Sequence, residues 1–155
     1  MQNESNLIFR PFKPDDFNQV YELHKNTMMA LGVYTGKDED DLDDIQNYYF
    51  NNRGFFLIAE LNYKIIAMGA FKNIDNDVAE IKRMRTNSKY QGKGIGALLL
   101  KKLIEKAIEL GYKKLILETS DKQIAAHKLY KKFGFVEYKK EIINGFNCSF
   151  FYISI

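Results

Sequence analysis

At 155 residues, 46% hydrophobic and 28% charged, the sequence has the length and composition of one folded domain and not of a disordered chain. A single cysteine, Cys148, excludes an internal disulfide or a cysteine-based cluster, and with only His24 and His127 besides no metal site is expected. The formal charge of +3 is unevenly divided: residues 1–81 carry 7 Lys/Arg against 14 Asp/Glu, and residues 82–155 carry 16 against 6, so the second half suits a polyanion and the first a cation.

The opening MQNESNLIFRPF lacks the charged-then-apolar pattern of a signal peptide. No apolar run approaches the ~20 residues needed to span a bilayer, so a cytoplasmic protein without a membrane partner is expected. Residues 7–10 predict a short strand stopped by Pro11 and Pro14. Pro14-Asp15-Asp16 opens a helix with acids in its first turn, an apolar stripe through Phe17, Val20, Tyr21, Leu23, Met28 and Leu31, and an end at Gly32. Six of the eight residues 37–44 are acidic, and 38–50 predicts a second helix with Leu42, Ile45, Tyr49 and Phe50 facing inward.

Residues 55–61 and 64–71 predict two strands of a hairpin turning at Asn62-Tyr63, and 78–86 predicts a third strand, giving an antiparallel meander. The strongest helical period runs over 94–110, through Ile95, Leu98, Leu99, Leu103, Ile104, Ala107 and Ile108, with Gly111 as its C-cap. A short strand at 115–119, a helix at 123–132 ended by Gly134, and strands at 135–142 and 146–153 around Asn144-Gly145 complete the chain. The fold class expected is α+β: a central mixed, mostly antiparallel sheet flanked by about four helices, in one domain over 1–155.

Between the strand ending at Thr86 and the strongest helix lies Gln91-Gly92-Lys93-Gly94-Ile95-Gly96. Glycines at a helix N-terminus leave backbone N–H groups free for an anion and let phosphate oxygens approach the chain. The spacing G-x-G-x-G is neither the dinucleotide fingerprint G-x-G-x-x-G nor a P-loop. On the turn alone, a tight strand-to-helix connection with packing glycines remains the competing reading.

The segment EIKRMRTNSKYQGKGIGALLLKKLIEKAIELGYKKLILETS, followed by QIAAHKLYKKFGF, resembles the core of the GNAT superfamily of acyl-CoA N-acyltransferases over about residues 79–136. The phosphate-loop pattern [Q/R]-x-x-G-x-[G/A] is met by Gln91, Gly94 and Gly96, and L-Y-x-x-x-G-F by Leu129-Tyr130 before Gly134-Phe135. The resemblance implies acetyl-CoA as acyl donor, no metal, and direct attack by an amine within a ternary complex. It implies that the amides of Gln91, Gly92, Lys93, Gly94, Ile95, Gly96 and Ala97 hold the pyrophosphate. Met84, Arg85 and Thr86 would then pair through their backbone with the pantetheine arm, with Gln123 and Tyr130 also touching the cofactor. Lys89, Lys93 and Lys128 lie where the ribose phosphate would be met.

By the same resemblance Tyr130 protonates the departing thiolate and Glu80 is a candidate base, with Glu118 at the end of the next strand as the alternative. A phenol suits the first role because its reference pKa of ~10 is close to that of a thiol. The competing structural readings are a core aromatic for Tyr130 and a solvent-facing strand residue for Glu80. Two departures from the family pattern stand out. Gln123 occupies a position where many members carry asparagine, and Ser88 one where proline is common.

The acceptor expected is a primary amine of a small molecule or peptide. The acidic run beside Tyr34, Tyr48 and Tyr49 would attract a cationic one, although acids at a helix start are stabilising without any ligand. A non-catalytic acyl-CoA sensor of the same fold is the alternative function. A lysine-rich nucleic-acid module is disfavoured, because no recognised motif is present and the acidic half repels phosphate. His24, His127 and Arg53 have no second motif to support a role, Cys148 reads as a packing residue, and a homodimer through the last strands is left open.

Overall fold

The computed structural model describes residues 6–155, so the first five residues of the opening segment lie outside it. Seven strands form one sheet: β1 (Leu7–Pro11), β2 (Phe55–Leu61), β3 (Lys64–Asn73), β4 (Val78–Thr86), β5 (Lys114–Ser120), β6 (Val136–Ile143) and β7 (Phe146–Ser154). Their order is β1-β2-β3-β4-β5-β7-β6. Every neighbouring pair is antiparallel except β4 with β5. That one parallel pair follows from its connection, since only a helical crossover returns the chain to start a strand in the same direction.

Five helices cover the sheet: α1 (Phe17–Ala30), α2 (Asp40–Asp43), α3 (Ile45–Tyr48), α4 (Ile95–Glu109) and α5 (Ile124–Lys132). Strand alternation divides the core in two. Phe56 and Ile58 of β2 point to a layer with Val20, Leu23, Leu42, Ile45 and Tyr49. Leu57 and Ala59 point to the other layer, with Leu99, Leu100, Leu103 and Ala107 of α4. The apolar spacing of α1 and α4 therefore matches the two faces of the sheet. Asn62 and Tyr63 both have positive φ, 49° and 66°, as a two-residue hairpin turn requires.

The single helix expected over 38–50 is two one-turn helices and a 3-10 turn, Phe50–Asn52. Asp44 breaks the run with φ −150°: its carboxylate accepts from the backbone N–H and the side-chain amide of Asn47. Aspartate competes with the helix ladder in this way and favours a cap over an interior position. The last two strands, left open as a dimer edge, take different places in the sheet. β7 lies inside the sheet and β6 is the edge at this end, with Lys139, Lys140 and Glu141 exposing charge that discourages strand addition. No helix among the described residues is long and apolar enough to cross a membrane.

Gly54 connects the α3 region to β2 at a point of close approach. A Cβ there would sit 2.7 Å from the carbonyl oxygens of Phe71 and Tyr49 and 2.9 Å from Tyr49 Cα, all backbone. Gly54→Ala is therefore expected to destabilise by about 1–3 kcal/mol through overpacking. Thermal unfolding reads this as a Tm loss of roughly 2–4 °C per kcal/mol for a chain of this size, and an unchanged Tm would mean that this contact relaxes freely.

β4 carries the irregularity that shapes the site. Met68 pairs with Arg85 and Ala70 with Lys82, so one residue of β3 faces two of β4. Arg83, at φ 60°, is the extra one. The bulge sends both Lys82 and Arg83 towards the α1–α3 face, where Lys82 lies over Tyr48 and Arg83 meets Asp41.

Candidate functional site

β4 and β5 pair only from Val78 with Lys114 to Glu80 with Ile116. Beyond that point the two strands diverge, and residues 81–86 present an edge to β5 with no strand opposite. A cavity of about 410 Å³ opens in the gap, lined by β4, the end of β5, the start of α5, the loop from Val33 to Glu39 and the turn between β6 and β7. An unpaired strand edge beside a cavity offers N–H and C=O groups to an extended, amide-bearing ligand.

The glycine-rich loop closes one end of this gap. No backbone N–H from Gln91 to Ala97 is bonded among the described residues; the first bond of the turn is Leu98 N–H to Gly94 O. Gly92 and Gly94 have φ of 75° and 83°, and nothing lies within 4 Å of the place a Cβ would occupy. Seven amides and open space at the start of a four-turn helix fit a pyrophosphate. Gln91 Nε2 donates to Thr86 O (2.9 Å), tying the loop to the end of β4. A Cβ on Gly96 would meet Leu129 Cδ2 at 3.6 Å and Thr86 Oγ1 at 3.9 Å, so α5 packs beside the loop and the two sequence motifs converge.

Tyr130 sits on α5, 4% exposed, with Phe135 and Phe151 at ring distances of 5.6 and 6.3 Å. Its hydroxyl has no hydrogen-bond partner among the described residues and borders the cavity. Burial pushes the phenol up to about 12, and the positive charge of Arg85 works against that rise. Gln123 starts α5, accepts from Thr119 Oγ1 (3.2 Å) and borders the same cavity.

Glu80 and Glu118 project from the same face of the diverging strands into the cavity. Glu80 lies 3.7 Å from Lys72 Nζ. Much of Glu118 is open to the cavity, yet enough of its carboxylate is enclosed that desolvation first, and the charge of Glu80 second, raise its pKa. Cys148 beside them is buried, and burial raises its thiol pKa before the charge of Glu118 adds to the effect. A thiol kept protonated is a poor nucleophile, in line with a packing role.

Residues 17–135 match the Acetyltransferase (GNAT) family. The chain belongs to the GNAT acetyltransferase family. Over 97 residues it is 39% identical to the N-acetylaspartate synthetase of Xenopus tropicalis, covering 61% of this chain and 36% of that one. The chain thus spans about a third of the length of that relative. It is also 39% identical over 142 residues to an uncharacterized N-acetyltransferase, C1271.07c, of Schizosaccharomyces pombe, covering 87% of this chain and 86% of that one. The crystal structure of a GNAT-family acetyltransferase from Staphylococcus aureus Mu50 superposes with a TM-score of 0.88 at 24% identity, over 96% of this chain and 98% of that one.

The GNAT reading draws its donor, acetyl-CoA, from the family, and among the described residues no group of side chains suits a metal. Lys89, Lys93 and Lys128 are exposed around the glycine-rich loop, with Lys93 Nζ 5.6 Å from the Tyr90 ring. Arg53 stacks 4.4 Å above the Tyr112 ring and donates to Leu110 O, a structural role away from the cavity.

The acidic run is largely occupied within the GNAT fold. Asp41 is buried against Arg83 and Tyr49, Asp44 caps α3, Glu39 accepts from Tyr21, and Asn144 Nδ2 donates to Asp38 Oδ2. Sequence reading of the site missed Asp41, Arg83 and the side chain of Arg85. Lys82, Arg83 and Arg85 on β4, the central strand of the sheet, were the signal, because charge at the centre of a sheet needs a partner or a ligand.

Proposed function

We propose that residues 1–155 act as one N-acetyltransferase domain, moving an acetyl group from acetyl-CoA to a primary amine of a small molecule or peptide by direct attack in a ternary complex. The observation that carries this reading is the divergence of β4 and β5 after Glu80. It joins a free strand edge, a cradle of unbonded amides and a cavity holding a tyrosine and two carboxylates. The amides of residues 91–97 hold the pyrophosphate, and the backbone of Met84, Arg85 and Thr86, with Gln123, holds the pantetheine arm. The thioester supplies the activated acyl group.

Glu118 or Glu80 takes the proton of the incoming ammonium, directly or through a water; the phenol of Tyr130 gives its proton to the sulfur as the C–S bond breaks, and the second proton shed by the acylated nitrogen restores the phenol through water. Glu118 is favoured as the base because its raised pKa brings it closer to working pH, where a general base is most effective. Glu80 already shares its charge with Lys72. The amine nitrogen supplies the electron pair of the new C–N bond, so no covalent enzyme intermediate is needed.

Calorimetric titration with acetyl-CoA tests the reading first. Saturable binding is expected, and Gly94→Glu should weaken it by roughly 10²-fold or more, since a side chain at positive φ and a carboxylate both oppose a phosphate there. Thiol release with a panel of amines, aspartate included because of the product named in the Xenopus relative, then identifies the acceptor. A wild-type chain that does not bind acetyl-CoA would overturn the proposal.

A further inference from the structure

Two arginines of β4 line the cavity, and they differ in one respect. Arg83 is matched: Nε donates to Asp41 Oδ2 (3.0 Å) and Nη2 to Asp41 Oδ1 (2.6 Å). Arg85 has no carboxylate. Its one hydrogen bond within the protein, among the described residues, is from Nη1 to the carbonyl of Met84 (2.8 Å), and its buried Nε has no partner. A guanidinium stays charged and presents a planar fork of donors suited to a carboxylate.

The neighbours of Arg85 add a second unmet group. His24, 4% exposed, borders the cavity, and its Nε2 donates to the Glu39 carboxylate (3.3 Å), which leaves the lone pair of Nδ1 inward; that atom is buried and unpartnered. Burial first, then the charges of Arg85 and Arg83, hold this imidazole down at about 3, so it is neutral. Carboxylates nearby do not fill the need of Arg85: Glu39 is bound to Tyr21 and His24, and Asp41 to Arg83 and Tyr49.

We propose that Arg85 binds a carboxylate of the acceptor, so that the amine acetylated by this chain is an amino acid or a derivative with a free carboxylate close to the amine. The inference rests on the acetyltransferase reading above and names the substrate class of its site. The short separation follows from the arrangement of the cavity. Arg85 and Tyr130 border the same cavity of about 410 Å³, and Tyr130 stands at the reacting sulfur in that reading, so the carboxylate and the attacking nitrogen are held within that one space. A zwitterion also suits the whole cavity, with its ammonium towards Glu80 and Glu118.

The test compares L-aspartate, L-glutamate, L-alanine and L-phenylalanine with their carboxamides as acceptors. The amide's amine is less basic and more often neutral, so a preference for the acid arises from binding and not from reactivity. The wild type should favour acids over amides in kcat/KM by roughly 10-fold to 10²-fold, the range for a hydrogen-bonded charge. Arg85→Gln should abolish that ratio, and Arg85→Lys should keep part of it through charge without the fork. Circular dichroism and thermal unfolding report whether each variant is folded, and calorimetry with acetyl-CoA reports its donor affinity separately.

Equal or reversed preference in the wild type overturns the inference, as does turnover of none of the acids by a chain that binds acetyl-CoA. So does an Arg85→Gln variant with weakened acetyl-CoA binding and an unchanged ratio, which would assign the guanidinium to the donor. Failure of the wild type to bind acetyl-CoA falls instead on the acetyltransferase reading.

Discussion

Tyr130→Phe is expected to lower kcat by roughly 10²-fold to 10⁴-fold, the usual contribution of a positioned general acid, with acetyl-CoA affinity nearly unchanged. The substitution is clean because it removes one oxygen. The ring stays against Phe135 and Phe151, and the hydroxyl has no partner in the described structure to orphan, so Tm should hardly move. With burial pushing its phenol to about 12, Tyr130 stays protonated through neutral pH and remains able to donate. The acid limb of kcat/KM in the wild type should instead report a carboxylate, and if Glu118 is the base it lies above the ordinary glutamate value of ~4.3. Steady-state thiol release measures both quantities. Unchanged turnover in Tyr130→Phe would remove the tyrosine from the mechanism, and with no turnover in either form the acyl-CoA sensor becomes the better reading.

Asp41→Ala is expected to be the most destabilising single change near the site, by about 3–5 kcal/mol, because it strands a charge that folding has removed from water. Asp41 is 2% exposed, and the side chain of Arg83 is 9% exposed. Tyr49 donates to the same carboxylate at 2.6 Å, so its hydroxyl is orphaned too. Burial alone would raise the carboxyl's pKa, but the hydrogen bonds and charge of Arg83, with the Tyr49 phenol, outweigh it and leave the group below its ordinary 3.8.

A carboxyl lowered on folding stabilises the protein above its unfolded pKa, and that contribution disappears as pH falls through the folded value. Wild-type stability should therefore decline below about pH 4 from this group, and Asp41→Asn should show a flatter curve there. Denaturant melts across the acid range measure it. A paired Asp41→Leu, Arg83→Met replacement should recover much of the loss, since removing both charges leaves neither uncompensated. If Asp41→Ala is as stable as the wild type, water must reach Arg83.

Much of the architecture was legible in the sequence. The periodicities of α1 and α4 and the boundaries of β2 and β4 are set by residues a few positions apart, and local spacing reports them directly. The glycine-rich loop was readable for the same reason, because its amides and its helix are contiguous. The segment 38–50 misled because six acids in sequence suit a helix start equally well in one helix or two. Only the choice made by the Asp44 side chain, to cap and not to continue, separates the cases.

What the sequence determined by itself is the fold class, the family resemblance and the contiguous glycine-rich loop before α4, all built from short-range pattern. What only the tertiary structure decided is which side chains share the cavity. Arg83 reaches Asp41 across 42 positions, and Glu80 faces Glu118 across 38. The bulge at Arg83 and the point where β4 leaves β5 determine that meeting. Strand register and long-range pairing depend on the packing of the whole sheet between two helical layers, so no window of neighbouring residues contains the information that leaves Arg85 without a partner.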